Sequence, residues 1–262
     1  MRAFSKYVIL GVVLSALALA TPASAPADIS IDVSPAKYEL QTAPGKTETF
    51  PILVRNTSTS AVHILAAPFD FEVGPSGNYL FSAPGKNPYS VAKLITINPR
   101  EFDLEPNTSQ QVRFSVDVPA NATGEYSSIV FFTTRPTRAQ RGVSIAERIA
   151  SKIYVDIPES THFTGEIDDV SAKALSDGQH YLVGFHNTGN VHVYLSGRVE
   201  IKQGGSVIDK VTLPTGMLVE RAGKRLVDAV GKKLPPGSYQ AVALIDYGGP
   251  SLVAGQTSFT VR

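Results

Sequence analysis

The sequence predicts an all-β protein, two immunoglobulin-like β-sandwiches in tandem after a cleaved signal peptide. Three observations predict this. Eighteen Pro and 21 Gly are spread along the chain, a density that cuts it into short segments. Those segments are runs of Val, Ile, Leu, Phe, Tyr and Thr, many alternating with period two, as half-buried strands do. Long helical patterns are not in evidence.

At the start, Arg2 and Lys6 precede an apolar run from Tyr7 to Ala20, and Thr21 to Ala27 is small and turn-prone. That three-part layout is a secretory signal. The apolar run is shorter than the ~20 residues a membrane-spanning helix needs, so cleavage after Ala27 is expected and residues 1–27 are read as the signal peptide. From there Ile29, Ile31 and Val33 alternate, Ala43-Pro44-Gly45-Lys46 turns the chain, and Phe50, Ile52 and Val54 alternate again. Further strands are expected at Val62–Ala66, Phe69–Val73, Leu94–Ile97, Val112–Val118, Tyr126–Thr133 and Ile149–Ile157. Their number and spacing suit an immunoglobulin-like sandwich over residues 28–158. The stretch from Gln140 to Arg148 is expected to be a loop, a short helix or an exposed continuation of the strand it feeds.

Pro158-Glu159-Ser160-Thr161 closes this block. The second block, residues 159–262, has expected strands at Phe163–Val170, Tyr181–Asn187, Val191–Ile201, Val207–Leu213, Lys224–Val230, Gly237–Tyr247 and Leu252–Val261. Pro235-Pro236-Gly237 and Tyr247-Gly248-Gly249-Pro250 are turn sequences between apolar runs.

Composition excludes several functions. The full chain carries 24 Lys and Arg against 23 Asp and Glu; without Arg2 and Lys6 the balance is 22 against 23, a charge of −1. That balance lacks the clustered cationic surface nucleic acid requires. There is no cysteine, which removes thiolate metal sites, cysteine nucleophiles and disulfides together. No second apolar run is long enough to span a membrane after signal cleavage. The chain has no Gly-x-Ser-x-Gly, His-Glu-x-x-His or phosphate-cradling glycine loop, so no enzyme and no cofactor is expected. His186 and His192 flank a turn and would need a third ligand such as Asp246 to hold a metal; two strand-end histidines facing solvent are the expected reading. Asp168 and Asp169 are read as a solvated strand end, and Asn56, Asn107 and Asn121 as turn residues.

The segments together resemble a known family. An alternating first strand interrupted at Pro35, the Pro44-Gly45 turn and Val54-Arg55-Asn56 come first. Leu104-Glu105-Pro106-Asn107 then precedes Val112-Arg113-Phe114, Gly124-Glu125-Tyr126 leads into Phe131-Phe132, and Ile145 to Pro158 closes the block. This order is similar to the first domain of the PapD-like periplasmic pilus-assembly chaperones, whose second domain takes the place of the second block here. The resemblance implies that the last strand of the first domain lends alternating apolar side chains to an incomplete partner sandwich. Val143, Ile145 and Ile149 have the parity for this, with Glu147 between them breaking the pattern; the other readings are that Glu147 guards an exposed edge or that this segment is not an edge at all. It also implies a pair of cations anchoring the partner's terminal carboxylate. Lys152 matches one. The other position falls on Pro35, leaving Lys37 as the substitute.

The expected function is a non-enzymatic periplasmic chaperone-like protein binding an extended strand of a fimbrial or surface-assembly subunit, with an outer-membrane usher as a possible further partner. A cell-surface structural or adhesion protein built from tandem sandwiches is the alternative.

Overall fold

Pro35 divides the first strand, and each half joins a different sheet. The computed structural model describes residues 30–138 and 144–262; the signal read at 1–27 and the donor position Val143 lie outside them. The first twelve strands are β1 (Ile31–Ser34), β2 (Lys37–Gln41), β3 (Thr47–Asn56), β4 (Val62–Val73), β5 (Tyr79–Ser82), β6 (Ile95–Asn98), β7 (Glu101–Leu104), β8 (Ser109–Asp117), β9 (Gly124–Thr134), β10 (Thr137–Arg138), β11 (Ser144–Ile145) and β12 (Arg148–Ile157). One sheet runs β1-β3-β8-β6 and the facing one β2-β12-β9-β4-β5, with β7 also paired to β4. β1 lies antiparallel to β3, whereas β2 lies parallel to β12. Proline supplies no N–H to a ladder, so Pro35 is a natural place for the strand to change sheets.

The alternation read from the sequence is the burial pattern. Ile52 and Val54 of β3 are fully buried with Ile64, Phe114, Phe132 and Val155 in the first core. Fully burying each such side chain contributes about 1.5–3 kcal/mol. The expected strands Val62–Ala66 and Phe69–Val73 are one strand, β4. Of the Gln140–Arg148 stretch, Ser144 and Ile145 continue the hairpin by pairing with β10.

The second set comprises β13 (Gly165–Ala174), β14 (Gln179–Asn187), β15 (Val193–Gln203), β16 (Ser206–Thr212), β17 (Met217–Val219), β18 (Lys224–Gly231), β19 (Gly237–Asp246) and β20 (Val253–Val261). Its sheets are β13-β14-β18 and β16-β15-β19-β20, with β17 on β15. Val183, Phe185, Val199, Ile201, Ala241 and Ile245 are wholly buried in a second, separate core. Among the described residues no helix is long and apolar enough to cross a membrane.

Both sandwiches secure a loop with a buried asparagine at a strand end. The Asn56 amide donates to the carbonyls of Ser60 (2.8 Å) and Leu104 (2.9 Å), and its oxygen accepts the Ser58 N–H (2.9 Å). Asn187 donates to Val191 O (2.7 Å) and Glu220 O (3.0 Å) and accepts the Gly189 N–H (3.0 Å). Asn56 thus serves the turn after it, as its type suggested. Replacing Asn187 with Ala removes the amide that serves the buried Val191 O, while Gly189 N–H keeps Thr164 O and Glu220 O keeps Gly223 N–H, and should cost about 2 kcal/mol in urea unfolding; a loss below ~0.5 kcal/mol would show that the loop is held elsewhere.

Candidate functional site

The parallel pairing of β2 with β12 sets Lys37 directly opposite Lys152, so both side chains leave the same face of the sheet. Lys37 Nζ donates to Glu39 Oε1 at 2.6 Å and to the Tyr194 hydroxyl at 3.3 Å. Lys152 Nζ donates to the Tyr79 hydroxyl at 3.2 Å. Each ammonium also lies over its tyrosine ring, at 5.4 and 5.3 Å from the centroids. The hydrogen bond to Glu39 raises the Lys37 pKa, and the same bond lowers that of Glu39. Tyr79 comes from β5 and Tyr194 from the second sandwich, so three separate elements orient the lysine pair.

β12 has β9 along one side throughout, while on its other side β2 covers only Lys152 to Asp156. Arg148 to Ser151 have no strand partner on that side among the described residues. The lysines therefore stand where the ladder with β2 begins, beyond a stretch of β12 that has no ladder on this side but is flanked by β1 and Pro35, the buried Ser151 donating its hydroxyl to Pro35 O at 2.8 Å. Ile145 is 49% exposed, but Ile149 is partly buried against the first core, so the two apolar donor positions differ in environment. Glu147 is neither free nor simply a surface charge, since its carboxylate accepts the Ile31 N–H at 2.8 Å and its backbone bonds Thr134. It ties the start of β1 to the start of β12.

The sheet face bearing the lysines carries an aromatic cluster of its own. Phe71, Phe131 and Tyr154 are buried there with Ile129, flanked by the half-exposed Tyr79 and Phe81. Arg148 lies across it, its guanidinium carbon 3.5 Å from the Phe131 ring centre and 4.7 Å from that of Phe69. β5 was not expected from the sequence.

Behind Lys37 the two sandwiches meet around a cavity of about 640 Å³ whose wall includes Glu39, Tyr154, His192 and Tyr194. His192 is not a solvent-facing strand-end residue: its side chain is 10% exposed and its Nδ1 lies 2.6 Å from the buried Glu125 carboxylate. His186, by contrast, is 3.4 Å from Glu166 at the periphery. No group of three metal-ligating side chains occurs among the described residues. Asp168 is paired with Lys224 at 2.8 Å beside an irregularity in β13. Across the junction the Tyr154 hydroxyl donates to Glu220 Oε1 at 3.0 Å. Arg221 donates to the carbonyls of Thr123 (3.0 Å) and Glu125 (2.9 Å) and stacks on Tyr89.

Burial pushes the Glu220 carboxyl up to about 7. Burial alone would lower His192, but the hydrogen bond and charge of Glu125, with Glu220 and Glu39 beyond, raise it on balance. Both shifts act in one direction. Between the ordinary carboxylate range and about 7 the folded chain holds a proton on Glu220 that the unfolded chain has lost, so stability falls as pH rises. The His192 contribution is complete below its ordinary value and disappears as pH rises through its elevated one. Unfolding midpoints should therefore decline as pH rises from the ordinary carboxylate range through about 7, with Glu220→Gln flattening the slope there. A flat profile in the unmodified protein would contradict the assignment.

No family model matches the sequence, and no curated protein is similar to it. Solved structures are. The class 5 fimbriae chaperone CfaA superposes with a TM-score of 0.51 at 13% identity, over 87% of this chain and 99% of that one. A structure described as a chaperone-tip adhesin complex of CFA/I fimbriae biogenesis gives 0.51 at 12% identity, over 87% of this chain and 98% of its own. The chain has the two-sandwich fold of the PapD-like fimbrial chaperones.

Proposed function

We propose that this protein is a non-enzymatic envelope chaperone that holds an extended strand of a fimbrial or surface-assembly subunit along the unpaired edge of β12, with the strand's terminal carboxylate between Lys37 and Lys152. The observation that carries the reading is the placement of those two lysines, in register and on one face, where the unpaired edge begins. An unpaired edge takes up an extended segment through main-chain hydrogen bonds, and two ammonium groups at its end favour a chain terminus over a passing loop. Ile145 and Ile149, with Val143, supply the apolar side chains that such a partner would cover. Residues 1–27 serve as the export signal, residues 28–158 and 159–262 as the two domains, and the periplasm as the compartment. An outer-membrane usher would receive the loaded complex.

The test uses a dye-labelled ten-residue peptide of alternating Val and Thr with a free terminal carboxylate, beside the same peptide ended as an amide. The free acid should bind at least tenfold more tightly, and Lys37→Met with Lys152→Met should abolish that preference while leaving the unfolding midpoint unchanged. Equal binding of acid and amide would overturn the anchor. Ile145→Asp is the informative edge variant, because Ile149→Asp also places a charge against the core.

A further inference from the structure

Arg148 stands apart from the other cations on this face. Lys37 has Glu39 and Lys152 has the Tyr79 hydroxyl, but Arg148 has no hydrogen-bonding or ionic partner for its side chain among the described residues. Its guanidinium carbon instead lies 3.5 Å from the Phe131 ring centre and 4.7 Å from that of Phe69. The sole cause of its lowered pKa is burial, with no carboxylate acting on it. A guanidinium packed against aromatic rings with no hydrogen-bond partner leaves its N–H donors unused, and their fork can take a carboxylate in two parallel bonds. The neighbouring Glu147 carboxylate accepts the Ile31 N–H and makes no bond to Arg148, adjacent residues along an extended chain pointing to opposite faces.

The direction of any added strand follows from the sheet itself. β2 occupies the side of β12 from Lys152 onward, so a strand ending at the lysines must extend back along Ser151 to Arg148. Its own terminus is then at the Lys152 end, and it runs parallel to β12. Arg148 and Lys152 share a face and lie four positions apart, about 13 Å at the ~3.3 Å rise of a strand. The partner side chain reaching Arg148 is therefore about four residues before the partner's terminus, on the same face as the terminal residue.

Resting on the strand-binding reading above, we propose that Arg148 is a specificity residue that selects partners carrying an acidic side chain about four residues before their terminal carboxylate. The edge then reads two anions at a fixed spacing, one main-chain and one side-chain, with the apolar positions on the opposite face providing the rest.

The alternating Val and Thr peptide with a free carboxylate tests this in two forms, one with Glu and one with Gln four residues before the terminal residue, fifth from the end. Fluorescence anisotropy should show the Glu form binding about tenfold more tightly, with the advantage shrinking as salt is raised. Arg148→Met, which keeps the stem over the rings, should abolish the difference, and Arg148→Lys should restore only part of it because an ammonium lacks the fork. If Glu and Gln forms bind alike while the amide-ended control still binds weakly, Arg148 has no such role and strand binding stands. If acid and amide also bind alike, or if no peptide binds, the strand-binding reading fails and the inference fails with it. The Glu and Gln comparison on the unmodified protein decides the matter even if an Arg148 variant folds poorly.

Discussion

Glu125→Ala is expected to lower stability by about 3 kcal/mol, the range for removing one partner of a buried charged pair. The Glu125 carboxylate is 3% exposed and accepts two hydrogen bonds from one residue, the His192 imidazole at 2.6 Å and the His192 N–H at 3.1 Å. Alanine leaves both donors buried without an acceptor. Neutralisation of the imidazole relieves part of the cost, which keeps the expectation below the upper end of the range. The main-chain bonds of Glu125 to Asn190 and Arg221 remain, so the sandwiches should stay in contact with greater freedom between them. Urea unfolding followed by circular dichroism measures the loss, and small-angle scattering should show a broader distribution of dimensions. Glu125→Gln retains an acceptor and should recover roughly half. A loss under ~0.5 kcal/mol for the alanine variant would mean that this pair does not hold the junction.

A larger effect is expected from Gly197→Ala, more than ~4 kcal/mol. Gly197 sits within β15 with φ of +149°, and a Cβ there would lie 2.1 Å from the Leu244 carbonyl oxygen on the neighbouring strand. That oxygen belongs to the backbone of the β15-β19 ladder and cannot rotate away. The sheet must separate, or β15 must change conformation beside Leu195, Val199 and Ile201 in the core. Gly204, also at positive φ but with nothing within 4 Å of the corresponding Cβ, is the control; its alanine variant should cost only ~1 kcal/mol from the backbone conformation. Hydrogen exchange on Gly197→Ala should show lost protection in β15, β16 and β19. Similar costs for the two alanine variants would rule out the steric account.

Strands whose inward residues alternate, such as β3, β8 and β15, were readable because one face of each meets a core and the other meets water. β5 was not, because Tyr79, Leu80 and Phe81 are consecutive apolar residues with no alternation, and all three are exposed. The lysine pair came from a family resemblance, and its register depends on Pro35 sending β2 to the other sheet, which periodicity does not encode. Histidine 192 misled for a related reason. Its burial comes from Glu125, Tyr154 and Glu220, each more than twenty residues away in sequence, and local spacing carries no trace of them. Arg148 likewise has nothing unusual in its immediate sequence; the rings beneath it arrive from β4 and β9.

The β4-β5 hairpin does more than present Tyr79. Its tip reaches the second sandwich, where Pro75 O accepts the Leu226 N–H at 2.8 Å and Gly77 lies against the Arg225 guanidinium. A chain emerging from its N-terminus can close the first sandwich early, yet this tip has no seat until Leu226 has been made and β18 has formed. The final docking of the hairpin is thus deferred to the end of synthesis. A nascent chain stopped before β18 would display Tyr79, Leu80 and Phe81 on an unseated arm, so its lifetime in that state sets the exposure to misassembly.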